Sequence, residues 1–156
     1  MLPKEGRDMH WSVVPFGRYG GKTLPEIIVL DLDWFFWMLP KFYGRLGTEA
    51  RDLARKARSI KIPKGRRRKL EVEYRFDVDN RFCGFAFVKA ESWHARWTTR
   101  LSHLDLAWPL RGKKYNEQAS RILIRDFRLN YFGKHKRLTK QRCEEFFSND
   151  KNFLCR

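Results

Sequence analysis

Between residues 70 and 79 apolar and charged positions alternate strictly: Leu70, Val72, Tyr74, Phe76 and Val78 are separated by Glu71, Glu73, Arg75, Asp77 and Asp79. A period of two predicts a half-buried β-strand with a polar outer face. Asp79-Asn80 supplies turn chemistry, and the stretch from Phe82 to Ala90 predicts the returning arm of an antiparallel hairpin. That arm has Phe82, Ala86 and Val88 on one face and Phe85 and Phe87 on the other, so it is expected to be a covered, central strand. Further on, Trp93, Trp97, Leu101 and Leu104 fit one face of a helix, although the β-branched pair Thr98-Thr99 opposes that reading.

Elsewhere helical spacing dominates. Thr23 is placed to cap a turn that begins Leu24-Pro25-Glu26, since Pro suits the first turn of a helix and Glu its positive end. A second helix is expected after Asp31 or Asp33, carrying Trp34, Phe35, Trp37 and Met38 into the core and stopping at Pro40. A third, from Thr48 to Ser59, buries Ala50, Leu53, Ala54 and Ala57. Asn116 is expected to cap a fourth that runs to Phe132 on the stripe Ala119, Leu123, Phe127 and Tyr131, with Gly133 ending it. A last short helix follows Thr139 and carries Cys143, Phe146 and Phe147. At the other end Trp11 to Phe16 reads as a short strand, and Gly17, Gly20 and Gly21 as a tight turn. The expected class is α+β: a small strand-turn-helix N-terminal subdomain followed by an antiparallel hairpin packed with helices. Its boundaries are residues 10–60 for the first subdomain, 61–69 for a basic linker and 70–156 for a second α+β subdomain.

Charge changes the picture more than any single motif. The 156 residues include 34 Lys and Arg against 18 Asp and Glu, a formal net charge of +16. Residues 1–75 hold 17 basic and 9 acidic residues and residues 76–156 hold the same, so the positive field belongs to the whole molecule and not to a tail. With 13 Phe, 6 Trp and 5 Tyr there is ample apolar surface to fold, which excludes a disordered basic segment. A polyanionic partner is therefore expected, nucleic acid first. The cysteines Cys83, Cys143 and Cys155 are odd in number and far apart, which points to a reducing, cytoplasmic setting. No leader-like or membrane-spanning stretch is read, and no membrane partner is expected.

The segment Pro15-Phe16-Gly17-Arg18-Tyr19-Gly20-Gly21-Lys22-Thr23-Leu24 resembles the signature Pro-Phe-Gly-Lys-Tyr-Lys-Gly-Lys-x-Leu. That signature marks a small bacterial domain found at the C-terminus of exodeoxyribonuclease X-like proteins and alone in a family of proposed quorum-sensing-regulated virulence factors. Asp31 followed by Trp34-Phe35-Phe36-Trp37-Met38-Leu39 stands where that family has an acidic position and an aromatic-apolar helix. Arg18 keeps the family's charge, whereas Gly20 replaces a commonly basic position. The resemblance covers about residues 10–60 and implies a bacterial or mobile-element protein, plasmid or phage, that works with DNA; it carries over no catalytic residue.

Candidate nucleic-acid contacts follow from spacing. Arg51, Arg55 and Arg58, and again Arg121, Arg125 and Arg128, recur at i, i+4 and i+7, so each trio projects from one helix face and can follow a phosphate backbone. Their alternative is a solvated helix surface. Arg18, Tyr19 and Lys22 surround the glycine turn, whose amides could approach phosphate oxygens if the turn does not simply join two elements. Lys64, Arg66, Arg67 and Arg68 are expected to act as a flexible electrostatic arm, and Lys134, Lys136 and Arg137, in the basic run before the last helix, are further candidate contacts. Tyr19, Phe42 and Tyr43 are the expected surface stackers, while Trp34, Phe35, Trp37, Phe85, Phe87 and Phe127 are expected in the core.

Enzymatic chemistry has one alternative constellation: Glu71, Glu73, Asp77 and Asp79 on a strand face with Lys89 in the returning arm, similar to the acid-acid-lysine sets of metal-dependent nucleases. A third reading is a basic interaction protein or inhibitor that docks an acidic protein. His10, His94, His103 and His135 with the cysteines lack paired ligand spacing, so no metal site and no cofactor are expected.

Overall fold

The computed structural model describes residues 11–63, 69–110, 117–133 and 137–154. Along the described residues the order is α1 (Leu24–Leu30), α2 (Leu32–Met38), α3 (Gly44–Ala57), β1 (Leu70–Phe76), β2 (Phe82–Lys89), β3 (Thr98–Leu101), α4 (Glu117–Tyr131) and α5 (Lys140–Ser148). The class is α+β, with an antiparallel hairpin packed against helices. Among the described residues no helix is long and apolar enough to cross a membrane.

Local chemistry accounts for most helix boundaries. Thr23 donates its N–H and hydroxyl to Glu26 Oε1 at 3.4 and 3.3 Å, and Pro25 occupies the first turn of α1. One residue separates α1 from α2. That residue, Asp31, accepts the Trp34 N–H at 3.1 Å and so caps the second helix. Helix α2 gives way at Met38 to a 3₁₀ turn, Leu39–Lys41, because Pro40 cannot continue the ladder. Helix α3 begins at Gly44, four residues before the expected start, and buries Gly47, Ala50, Leu53, Ala54 and Ala57. Gly133, at φ +92, follows the end of α4, and Thr139 caps α5 by accepting the Arg142 N–H. The expected cap Asn116 lies outside the described residues.

The sheet runs in the order β2-β1-β3, both pairings antiparallel, so β1 is the central strand. The expectation of a central β2 is thus corrected: β2 is an edge, and α4 packs against it. Asp126 of α4 accepts the N–H of Phe85 at 3.1 Å, satisfying a donor that an edge strand would otherwise offer to another chain. A Cβ built on Gly84 would lie 2.7 Å from Asp126 Oδ2, and Gly84 has φ +150, so the close approach of helix to strand depends on glycine there.

The helix expected through Trp93, Trp97, Leu101 and Leu104 does not form. Thr98–Leu101 is strand β3, with Thr99 opposite Tyr74 and Leu101 opposite Val72. The β-branched threonines and the available edge of β1 outweigh the helical spacing. Only Leu104 of that set is buried, while Trp93 and Trp97 are exposed. Residues Trp11 to Phe16 likewise form no strand; a single bridge joins Val13 to Thr23.

One apolar core includes residues from both sides of the 61–69 connection. Helix α1 packs on α5, α2 packs on α4, and Trp11 donates to the Ser148 hydroxyl at 3.0 Å. Ile60 bridges Leu104 on one side and Phe153 on the other, which ties the entrance of the connection to two distant segments. Around Phe127 the rings of Phe132, Phe146 and Phe147 meet at centroid distances of 5.4, 5.4 and 6.4 Å. Full burial of such a ring contributes about 1.5–3 kcal/mol.

The outer face of β1 departs from expectation at Glu73, which is only 4% exposed. Arg100 Nε and Arg75 Nε donate to its two oxygens at 3.0 and 2.9 Å, and the same Arg100 donates to the carbonyls of Ser92 and Trp93. Glu73 and Arg100 face each other across β1 and β3, so an ion pair set by register holds the loop that follows β2. Burial by itself would raise the Glu73 carboxyl, but the two guanidiniums outweigh it and hold it below its ordinary value.

Two predictions follow from this arrangement. Gly84→Ala is expected to cost about 1–3 kcal/mol through strain and overpacking against Asp126; a urea midpoint equal to the native one contradicts the close approach. The depressed Glu73 contributes stability that is complete above its unfolded pKa of about 4.3 and lost as pH falls through the lower folded value. Glu73→Gln is therefore expected to lower the thermal midpoint at neutral pH, with the gap to the native protein narrowing as pH falls below the ordinary carboxylate range.

Candidate functional site

The glycine turn before α1 is closed on itself. Gly20 N–H donates to Gly17 O, Gly21 N–H to Val14 O and Lys22 N–H to Tyr19 O, at 2.8–3.1 Å. These amides are spent on the turn and do not form a phosphate cradle, while Gly17 and Gly21, at φ +75 and +89, supply the left-handed backbone that it requires. What the turn does present is Arg18 and Tyr19. The Tyr19 hydroxyl donates to Asp31 Oδ2 at 2.6 Å, its ring meets Trp34 edge-on at 4.9 Å, and Arg18 Nη1 lies 3.6 Å from the same carboxylate oxygen. Burial, reinforced by Asp31, pushes the Tyr19 hydroxyl up to about 12, so it stays a protonated donor. One aspartate thus caps α2 and orients both turn residues.

Across from this turn stands α4. Ala119, Leu123 and Phe127 face the core, and the buried Ser120 hydroxyl accepts the Asp33 N–H at 3.2 Å, fixing the helix against the start of α2. The 3.6-residue period then turns Arg121, Arg125 and Arg128 outward, where all three are exposed. Arg18, Tyr19 and these three arginines line one cavity of about 530 Å³ between the turn, the end of α1 and α4. Its apolar lining includes Leu30 and Leu129, exposed at 57% and 46%. Neither leucine stood out in the sequence; the available signal was that Leu129 falls off the Ala119, Leu123, Phe127 stripe and follows Arg128 directly.

The second arginine stripe lines a different cavity. Arg51, Arg55 and Arg58 border a space of about 760 Å³ with Phe36, His103 and Trp108. Arg58 Nε lies 3.7 Å from Asp105 Oδ2, and Arg55 pairs with Asp52. Asp105 Oδ1 accepts the N–H groups of Ala107 and Trp108 at 2.8 and 3.1 Å.

The remaining expected contacts are dispersed. Lys22 pairs with Glu26 at 3.8 Å and does not line the Arg18 cavity. Arg137 is exposed, and its carbonyl accepts from Arg142. Lys64, Arg66, Arg67, Arg68, Lys134 and Lys136 lie outside the described residues. Of the expected stackers Tyr43 is 83% exposed, but Phe42 is buried against Trp34 and Phe35. Trp37, expected in the core, is exposed with Lys41 Nζ 3.5 Å above its ring. Trp34, Phe35, Phe85 and Phe127 are buried as expected, and Phe87 is partly buried.

The carboxylate constellation is not assembled. Glu73 is held by two arginines, Asp77 Oδ1 accepts the N–H groups of Asp79 and Arg81 in the hairpin turn, and Asp79 and Lys89 are exposed. Glu71 sits partly buried opposite Val88. Among the described residues no three His, Cys, Asp or Glu side chains come together to hold a metal ion. Burial pushes the Cys143 thiol up to about 11, leaving it a core group, whereas Cys83 is exposed.

Among the described residues, the fold and cavities therefore define a basic α+β protein whose two arginine stripes border separate cavities. No family model, curated protein or solved structure matches the chain.

Asp31→Ala is expected to cost about 0.5–2 kcal/mol, as loss of a helix cap does. Urea unfolding checks the value, and an unchanged midpoint removes Asp31 from its capping role.

Proposed function

We propose that this chain is a non-enzymatic nucleic-acid-binding accessory protein of a bacterium or its mobile element, acting in the cytoplasm, with DNA as the favoured ligand. The observation that carries the reading is the meeting of Arg18 with Arg121, Arg125 and Arg128 around one cavity, although these residues are a hundred positions apart in the chain. Concentrated guanidinium groups release counterions from phosphates and select against cationic or neutral partners. The likeness of residues 10–60 to the domain at the end of exodeoxyribonuclease X-like proteins supports the same ligand. On this reading Arg18 and the α4 arginines grip the phosphate backbone, and the leucines beside them exclude water from the contact.

The nuclease alternative receives less support, because the carboxylates it needs are engaged by arginines and turn amides. A protein partner is the reading to adopt if nucleic acid fails to bind.

Affinity for DNA, followed by fluorescence anisotropy, is expected to fall steeply between about 50 and 200 mM salt. Replacing Arg121, Arg125 and Arg128 together with Ala should weaken binding similarly on all sequences and reduce the salt slope by about three. Binding insensitive to salt, or unchanged in the triple variant, contradicts the assignment of this cavity.

A further inference from the structure

Two cavities lie side by side along the edge strand β3. The cavity bordered by Arg51, Arg55 and Arg58 and a second of about 320 Å³ bordered by Phe76 and Trp97 share Trp108. Leu101 lines the first and Thr99 the second. These residues are two apart and opposite the buried Val72 and Tyr74, so they lie on one side of the strand. The result is a track that begins at three guanidiniums and passes Trp108 to reach Trp97.

The far end of the track is built at a cost. Trp97 has φ +54, a left-handed conformation that is strained for a bulky residue, and it remains 53% exposed. The strain is not relieved by burial. It is held in place because Trp97 O accepts the Phe76 N–H at 3.0 Å and Thr98 Oγ1 donates to Ala95 O at 2.8 Å. Arg96 lies 5.6 Å from the Trp97 ring centroid. At the other end Asp105 joins the two parts, since one of its oxygens faces Arg58 and the other accepts the Trp108 N–H.

Resting on the nucleic-acid reading, we propose that this track takes an unpaired strand, with phosphates on Arg51 and Arg55 and a base stacked on Trp97. Charge complementarity selects a polyanion, and the exposed Trp97 indole with Arg96 beside it suits an unstacked base, whose face a duplex keeps covered. The track gives the protein its preference for single strands, whereas the α4 cavity supplies phosphate affinity common to single and double strands.

The test compares a labelled thymidine oligonucleotide with a duplex of equal length by anisotropy, using the native protein, Trp97→Gly, Trp97→Asn and an Arg51→Ala, Arg55→Ala double variant. Glycine and asparagine both accept positive φ, so each is expected to raise the thermal midpoint while weakening single-strand binding about tenfold and leaving duplex binding nearly unchanged. The double arginine variant should lower the single-strand salt slope by one to two. Single-strand affinity equal to native in both Trp97 variants, or a native preference for duplex, overturns the track. If the native protein binds neither nucleic acid, both this inference and the function it rests on fall; if binding responds only to the α4 arginines, the track alone falls.

Discussion

Helix α4 is held at two points by hydrogen bonds that leave little choice in its rotation. Ser120 meets the backbone of α2, and Asp126, six residues on, meets the edge of β2. Both side chains lie beside the Ala119, Leu123, Phe127 stripe that enters the core. Gly84 permits the second contact by lacking a Cβ where the Asp126 carboxylate sits. With the helix clamped in this way, the arginines on its remaining face must look toward the glycine turn. The cationic cavity is a consequence of how the sheet edge is closed.

Acidic side chains in this molecule are mostly used inward. Asp31, Glu73, Asp105 and Asp126 have side-chain exposures of 12, 5, 7 and 13%, whereas, apart from Arg100 at 9%, the arginines paired with them (Arg18, Arg58, Arg75 and Arg125) range from 47 to 64%. Each of the four acids ties backbone donors, a hydroxyl or guanidiniums together and so offsets part of its own desolvation. The surface is consequently more positive than the ratio of basic to acidic residues suggests. Such a distribution raises local anion concentration at little cost to the fold, because the repelling arginines remain in water where charge interactions are screened.

The aromatic residues divide along similar lines. Rings around Phe127 close the core between α4 and α5, while Trp37, Tyr43, Trp93 and Trp97 are left outside it. The loop from Ser92 to Trp97 is not held by apolar packing of its own tryptophans. Arg100 anchors its first half through two carbonyl bonds, and Phe76 anchors its end. A loop fixed by polar bonds can display large rings, which a loop fixed by its rings cannot.

The sequence by itself determined what depends on neighbours a few residues apart. Thr23 with Glu26 and Asp31 with Trp34 mark helix starts, and the spacing of Leu123 with Phe127 or of Arg51 with Arg55 assigns helix faces, because one helical turn decides them. The alternation from Leu70 to Phe76 marks β1 for the same reason. Tertiary structure alone decided which strand lies at the edge, that Glu73 is buried under Arg100, and that Thr98–Leu101 pairs with β1 instead of coiling. It also decided that Arg18 faces Arg121, Arg125 and Arg128, and that Trp97 is displayed and not buried. Each of these rests on a partner 20 to 110 residues away, and the periodicity of a chain holds no record of which distant segment will supply it.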